Sequence, residues 1–412
     1  MNKSKLELEI RDGEPCPACG HNISVPLFQD KHPLANTVRP QSYQEAQDLE
    51  YLLLDYVRCV ECGHIYNYAF DYAKVPYSDR PYPSFNKGVL WSGFIQEIQQ
   101  QILAILPEKP VVIEIGHGDG SFLAGLRALN PKGRYVGFDV NGARDGEGVI
   151  EFRSELFSPD VNLPELLPDL IVSRHVLEHL KNPLSLLQRI ALVASAIGIS
   201  PLTYFEVPCA DRVLETGRTV DFFYEHTSQF TTNSFTRMLS KCSSSIEKIG
   251  YGYDHEVIYG VARLGVKNQQ LEVAQESQNY RLSTSKSLIN IKEQLDKLYS
   301  SGTKVAIWGG LGRSSAFANR YGADAERFPI VVDSDASKGG TFVPGTGQEI
   351  RFRDWLHENP VDVIIIPSQW RAADIVSEIT RVGIKVKSIL IEHQDRLVDY
   401  NYSDHPYQNL KA

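Results

Sequence analysis

The stretch "VVIEIGHGDGSFLAGLRAL", residues 111–129, reads as an apolar strand, a tight turn with glycine at 116, 118 and 120, and a helix with apolar residues at helical spacing. Further apolar runs follow, "RYVGFDV", "DLIVSRHV" and "LTYFEVP", separated by helical stretches, and "GVLWSGFIQEIQQQILAIL" precedes them. That alternation predicts a parallel sheet covered by helices on both faces. Glycine turns of the G-x-G kind serve phosphate and other ligands alike, so the turn alone names no ligand. Its context is sharper. Glu114 stands one position before the end of the first strand, and Asp139 ends the next. That pair fits an open α/β sheet that holds an adenosine ribose through a carboxylate.

Outward from this core the chain divides into further segments. Residues 268–302, "NQQLEVAQESQNYRLSTSKSLINIKEQLDKLYSSG", are polar with sparse heptad-like apolar positions and predict a bridging helix or helix pair. A second alternation then begins with "KVAIWGG", "FPIVVDS", "VDVIIIPS" and "KVKSILIE" as strands, and "SSAFANRYG", "RFRDWLHEN" and "RAADIVSEITRVG" as helices. The expected boundaries are 1–75, 76–267, 268–302 and 303–412.

A chain of 412 residues with 42% hydrophobic and 23% charged residues is ordinary for a globular protein of two or three domains. A net charge of −9 argues against extended binding to a nucleic-acid backbone, which needs a basic face. The N-terminus has no apolar h-region and no run is long enough to span a bilayer, so neither a membrane nor secretion is expected, and the expected compartment is the cytoplasm. The sequence is silent on oligomeric state.

Four of the six cysteines fall in two tight pairs, Cys16 and Cys19 in "CPACG" and Cys59 and Cys62 in "CVECG". Each C-x-x-C-G makes a tight turn whose amides point at thiolates, and two such turns supply four sulfurs for a tetrahedral zinc. A four-thiolate shell has no open position for water, so the zinc is expected to be structural. Cys209 and Cys242 stand alone and read as packing residues.

The loop E-I-G-x-G-x-G resembles motif I of class I S-adenosylmethionine-dependent methyltransferases, and "PDLIVSRHVLEHLKNPLSLL" resembles their fourth strand and following helix. The resemblance implies S-adenosyl-L-methionine as cofactor, with Glu114, Gly116, Gly118, Asp139 and His175 at its site. His175 and His179, four residues apart, could also be read as a metal pair, but the order is H-V-L-E-H rather than H-E-x-x-H. With the cysteine pairs before it and the second α/β unit after it, the order of parts resembles the three-domain sugar C-methyltransferases, which methylate a carbon of a nucleotide-linked keto-deoxysugar. "VVDSDASKGGTFVPGTGQEI" strengthens this through Asp333, Lys338, Gly339, Pro344, Gly345, Thr346 and Ile350. The fold so implied is a class I methyltransferase Rossmann-like α/β core, an N-terminal zinc-binding domain and a C-terminal Rossmann-like α/β domain. "VAIWGGLGRSS" by itself suggests a nucleotide site at Gly309, Gly310 and Gly312. The resemblance turns that reading towards help in holding the substrate's diphosphate.

In "EVPCADRVLETGRTVDFFYEHTSQFT", residues 206–231, Tyr224, Glu225 and His226 stand side by side. Carbon methylation requires loss of a proton alpha to a ketone, and histidine suits that base role near neutral pH. Glu225 or Tyr224 could orient the imidazole or hold the enolate oxygen. The corresponding family segment ends in Tyr-His-Glu-His, which makes His226 the base candidate. Here Phe223 takes the tyrosine position and Tyr224 that of the first histidine. Tyr82 is the candidate for a further substrate-facing tyrosine, with Tyr77 second. Three alternatives stay open: an O- or N-methyltransferase on a related sugar nucleotide, a zinc-ribbon adaptor that binds RNA, and a scaffold without catalysis.

Overall fold

The computed structural model describes residues 9–76, 88–142 and 149–408. Tyr77 and Tyr82 lie outside them. The chain forms two compact units, Met1–Glu272 and Val273–Ala412.

Among the described residues, the first unit contains two sheets. The smaller has the order β1-β2-β3-β4-β10, with β1 Arg11–Asp12, β2 Ile23–His32, β3 Leu52–Cys59, β4 Ile65–Asn67 and β10 Ser228–Gln229. All its pairings are antiparallel. Strand β10 belongs to the segment just after His226, so the sheet of the cysteine-bearing region is completed from far along the chain.

The larger sheet contains β5 Val111–Ile115, β6 Arg134–Phe138, β7 Glu151–Arg153, β8 Leu170–Arg174, β9 Leu202–Pro208, β11 Ser243–Gly252 and β12 Val257–Leu264. Its order is β11-β12-β9-β8-β5-β6-β7. β5 to β9 run parallel, and β12 lies antiparallel to both neighbours. The central strands are apolar almost throughout because helices cover both faces: Val112, Ile113, Leu170, Ile171, Val172 and Phe205 are fully buried. The order reverses between β5 and β8, which opens a crevice at the carboxyl ends of the strands. One apolar core runs from Cys16, Cys19, Cys59 and Cys62 through Phe230, Phe235 and Leu239 to the larger sheet, so the two sheets share their interior.

The second unit has a six-stranded sheet ordered β15-β14-β13-β16-β17-β18, from β13 Val305–Trp308, β14 Ile330–Asp333, β15 Ile350–Phe352, β16 Val363–Ile365, β17 Ser388–His393 and β18 Arg396–Asp399. It is parallel except for β18. The polar stretch forms a single helix, Asn268–Ser300, which buries Ile291 and Leu295 near its end. One segment departs from its helical pattern: "RFRDWLHEN" gives up its first residues to β15 and continues as a short 3-10 turn, Arg353–His357, that buries only Leu356. Strand pairing beside β14 outcompetes a helix too short to bury a full stripe.

Candidate active site

The two cysteine turns are built alike. Cys16 N–H donates to the His21 carbonyl and Cys59 N–H to that of His64, each at 2.8 Å. Gly20 and Gly63 donate back to the first cysteine of their pair, at 2.8 and 3.0 Å. The two glycines have φ of 77° and 75°, where a side chain would be strained. The turns bring Cys16 Sγ within 3.6 Å of Cys62 Sγ and Cys19 Sγ within 3.6 Å of Cys59 Sγ. Sulfurs about 2.3 Å from a tetrahedral zinc stand roughly 3.8 Å apart, so the set fits that ion. All four thiols are buried and none forms a disulfide.

At the crevice of the larger sheet lies a cleft of about 1800 Å³. Glu114, Gly116, Gly118, Asp139, His175, His179, Phe223, Glu225 and His226 all reach its wall. Gly116 has a φ of 73°, and a Cβ there would stand 2.3 Å from Val176 Cγ2. Gly118 N–H donates to Asp139 Oδ2 at 3.0 Å, which ties the glycine turn to the carboxylate after β6.

Beneath the cleft is a buried ionic group that the sequence did not signal. Arg174 contacts Glu206 at 3.0 Å, and the His175 ring lies between Glu178 at 3.4 Å and Glu206 at 3.2 Å. Tyr204 donates its hydroxyl to Glu206 at 2.6 Å. Burial pushes Glu206 up, but Arg174 and His175 carry it down to about 2. Burial pushes His175 down, yet Glu178 and Glu206 carry it up to about 9. Glu114 goes the other way: its burial, only partly offset by Arg174, pushes the carboxyl up to about 8. That burial favours the protonated form of Glu114, beside a compensated set of charges.

Residues 223–226 form a turn over the cleft, closed by His226 N–H donating to the Phe223 carbonyl at 3.1 Å. Burial, with the His179 ring adding to it, holds the His226 imidazole down at about 3, so the ring is neutral and its basicity is lowered in this closed surrounding. Phe223 covers one face of that ring at 4.0 Å between centroids, and His179 meets it edge-on at 4.8 Å. The Glu225 carbonyl can only accept, so the 2.8 Å contact with His179 Nδ1 places a proton there and leaves Nε2 of a neutral ring free. Ligand atoms of Glu178, His179 and His226 all lie within 4.8 Å of one another. The pair of histidines suggested by spacing, His175 and His179, is thus separated: His175 belongs to the ionic group and His179 to the base candidate.

Two neighbours of His226 do other work than orienting it. The Tyr224 hydroxyl is absent from the cleft wall; it accepts from Asp71 N–H at 2.9 Å and donates to the Ala69 carbonyl at 3.4 Å. It is committed to backbone and cannot hold an enolate oxygen. The Glu225 carboxylate accepts from Ala35, Asn36 and Thr37 N–H at 3.3, 2.7 and 3.0 Å and from Thr37 Oγ1 at 3.2 Å. It fastens the loop between β2 and β3 to the turn that carries His226.

Residues 91–242 match the family model described as a methyltransferase domain, and residues 253–387 match the one described as a C-methyltransferase C-terminal domain. The chain carries a methyltransferase domain followed by a C-methyltransferase C-terminal domain. No curated protein matches this methyltransferase. Among solved structures it is similar to a complex of the Haloferax volcanii Trm112 methyltransferase activator with a methyltransferase, at 14% identity, TM-score 0.34, 43% of this chain and 92% of that one. It is also similar to the plantazolicin methyltransferase BpumL bound to a pentazolic analogue and SAH, at 13% identity, TM-score 0.34, 43% and 84%. Human N-acetylserotonin methyltransferase in complex with SAM is similar at 16% identity, TM-score 0.31, 43% and 55%.

The methyltransferase has cleft residues that pattern reading missed. Trp91 lies 5.9 Å from the His175 ring and meets Tyr253 edge-on at 5.4 Å. Tyr253 begins a run of three left-handed residues with Asp254 and His255, at φ 48°, 55° and 63°, a costly conformation of about 1–2 kcal/mol per residue. The turn between β11 and β12 carries no glycine, and only Asp254 and His255 are of residue types that enter that conformation more readily.

Proposed function

We propose that the protein transfers a methyl group to a carbon of a nucleotide-linked keto-deoxysugar, with His226 as the base. The observation that carries this reading is the position of the His226 imidazole on the cleft wall, lining the same cavity as the glycine turn and Asp139. The match of residues 253–387 to a C-methyltransferase domain supports carbon as the acceptor.

Bound S-adenosylmethionine supplies an electrophilic methyl group. Asp139, with the backbone of Gly116 and Gly118, would hold its adenosyl end, in keeping with the position of ligands in open α/β sheets. His226 takes the proton alpha to the substrate ketone, and the electron pair of that C–H bond moves into the enolate. The enolate carbon then forms the new C–C bond to the methyl group, whose bond to sulfur breaks with the electron pair left on sulfur. His179, with an unprotonated Nε2, is suited to take up the proton in turn; it has no hydrogen there to give the enolate oxygen, and Phe223 offers no hydroxyl for that task. The four cysteines would hold zinc as a structural ion.

The test uses isotope-labelled S-adenosylmethionine and a panel of nucleotide-linked 4-keto-6-deoxysugars in deuterated water, with wild-type protein and His226→Ala. A carbon-bound labelled methyl that is lost in the variant is expected. Label on oxygen or nitrogen, or full activity without His226, would overturn the reading.

A further inference from the structure

We propose that Tyr56 is a positioning residue for methyl transfer: it makes the hairpin that carries the second cysteine pair set the place of the His226 ring. This rests on His226 being the base. Tyr56 lies in β3, three residues before Cys59, and is fully buried. Its hydroxyl lies 2.8 Å from the Phe223 carbonyl oxygen and 2.7 Å from that of His226. A single hydroxyl therefore spans both ends of the turn that presents the imidazole.

The same hairpin holds the chain on the far side of His226. Asn67 N–H donates to the Thr227 carbonyl at 2.9 Å, and β4 pairs with β10 through Tyr66 with Ser228 and Ile65 with Gln229. The buried His64 ring contacts Ser228 Oγ at 3.2 Å. On the near side, Tyr56 packs edge-on to Phe222 at 5.0 Å. From Phe222 to Gln229 the segment is thus fixed by β3 and β4. The glycine turn and Asp139 belong to the other sheet and touch none of these bonds. The physical consequence is a separation of duties: the cofactor end of the cleft is set by the carboxyl ends of β5 and β6, and the base by the hairpin around Cys59 and Cys62. Loss of the Tyr56 hydroxyl leaves a turn that can shift by a fraction of an ångström, and proton transfer is sensitive to shifts of that size.

The experiment compares Tyr56→Phe with Tyr66→Phe in the full chain. Tyr66 is a buried tyrosine of the same hairpin whose hydroxyl donates to the Glu14 carbonyl at 3.3 Å, away from the turn. Three readouts are taken: SAH affinity by calorimetry, the ¹H–¹⁵N side-chain signals of His226 assigned with His226→Ala, and kcat and KM on the panel above. The expected result for Tyr56→Phe is SAH affinity within twofold of wild type, displaced or broadened His226 signals, and kcat reduced at least tenfold with KM little changed. Tyr66→Phe should leave the His226 signals in place. His226 signals and kcat in Tyr56→Phe that match those in Tyr66→Phe would overturn the proposal, as would a loss of SAH binding in step with activity. If His226→Ala itself keeps full activity, the base assignment fails and the positioning role falls with it. If His226→Ala is inactive and Tyr56→Phe is not impaired, only the positioning role fails.

Discussion

The Asn36 amide donates to Glu225 Oε1 at 2.7 Å, joining the loop after β2 to the turn beside His226. A glutamate placed next to a histidine invites the reading of a catalytic dyad. Its carboxylate instead satisfies three consecutive amides and a hydroxyl, and a buried group with that many partners is a fastener.

Glu225→Ala would leave those donors without an acceptor. A hydrogen bond to a charged group contributes about 1.5–3 kcal/mol, so a loss of roughly 3 kcal/mol or more is expected, and Glu225→Gln should lose less. Urea denaturation of the two variants checks this. Equal, near-wild-type stability in both would mean that the loop is held by other contacts.

Stability should peak near pH 6.5 and fall on both sides. His64 and His226 are both held at about 3 by burial, so the stability they contribute is present above about 6.5 and lost as pH falls towards 3. Glu114, raised to about 8, contributes stability that is present below its ordinary value of 4.5 and lost as pH rises through 8; His175, raised to about 9, contributes stability present below 6.5 and lost through 9. Thermal melts from pH 4 to 10 should show both flanks, each on the order of 1 kcal/mol per pH unit. Glu114→Gln should flatten the curve between pH 6.5 and 8. An unchanged alkaline flank in that variant would show that Glu114 is ionised in the folded protein.

Metal content is expected to be one zinc per chain, lost in Cys59→Ser and unchanged in His179→Ala. Elemental analysis of the purified variants reads this directly. A second equivalent that His179→Ala removes would assign a metal to Glu178, His179 and His226 and exclude His226 as a free base.

Asp139→Ala should weaken SAH binding by about ten- to a hundredfold, the equivalent of about 1.5–3 kcal/mol for a hydrogen bond to a carboxylate. Asp139 also accepts from Gly118 N–H at 3.0 Å and Asn141 N–H at 2.8 Å, so part of the effect will pass through the glycine turn. Calorimetry with Asp139→Asn, which keeps one acceptor oxygen, should give an intermediate value. Wild-type affinity in both variants would remove Asp139 from the cofactor site.

The parts of this protein written in local pattern were legible before any coordinates. Strand β5 and its glycine turn follow from an apolar run ending in residues that only tight turns require, and β6, β8 and β9 from similar runs. The two cysteine turns follow from a spacing that repeats down to the Gly-His after each pair. Strands β7 and β18 were not legible, because short edge strands need no apolar run. The hairpin of β11 and β12 was missed for a related reason: β11 has one largely exposed face and reads as polar.

Sequence alone determined the central strands β5, β6, β8 and β9, the four-sulfur set and the glycine turn, since each depends on neighbours a few residues apart and on backbone geometry those residues dictate. Only the tertiary structure decided what the polar side chains of residues 224–226 do. Tyr224 and Glu225 are spent on backbone groups of Ala69, Asp71 and residues 35–37, while Tyr56 and β4 fix the turn that bears His226. A carboxylate or hydroxyl takes whichever donor the folded chain brings within about 3 Å, and contacts between segments more than a hundred residues apart leave no period or spacing in the sequence.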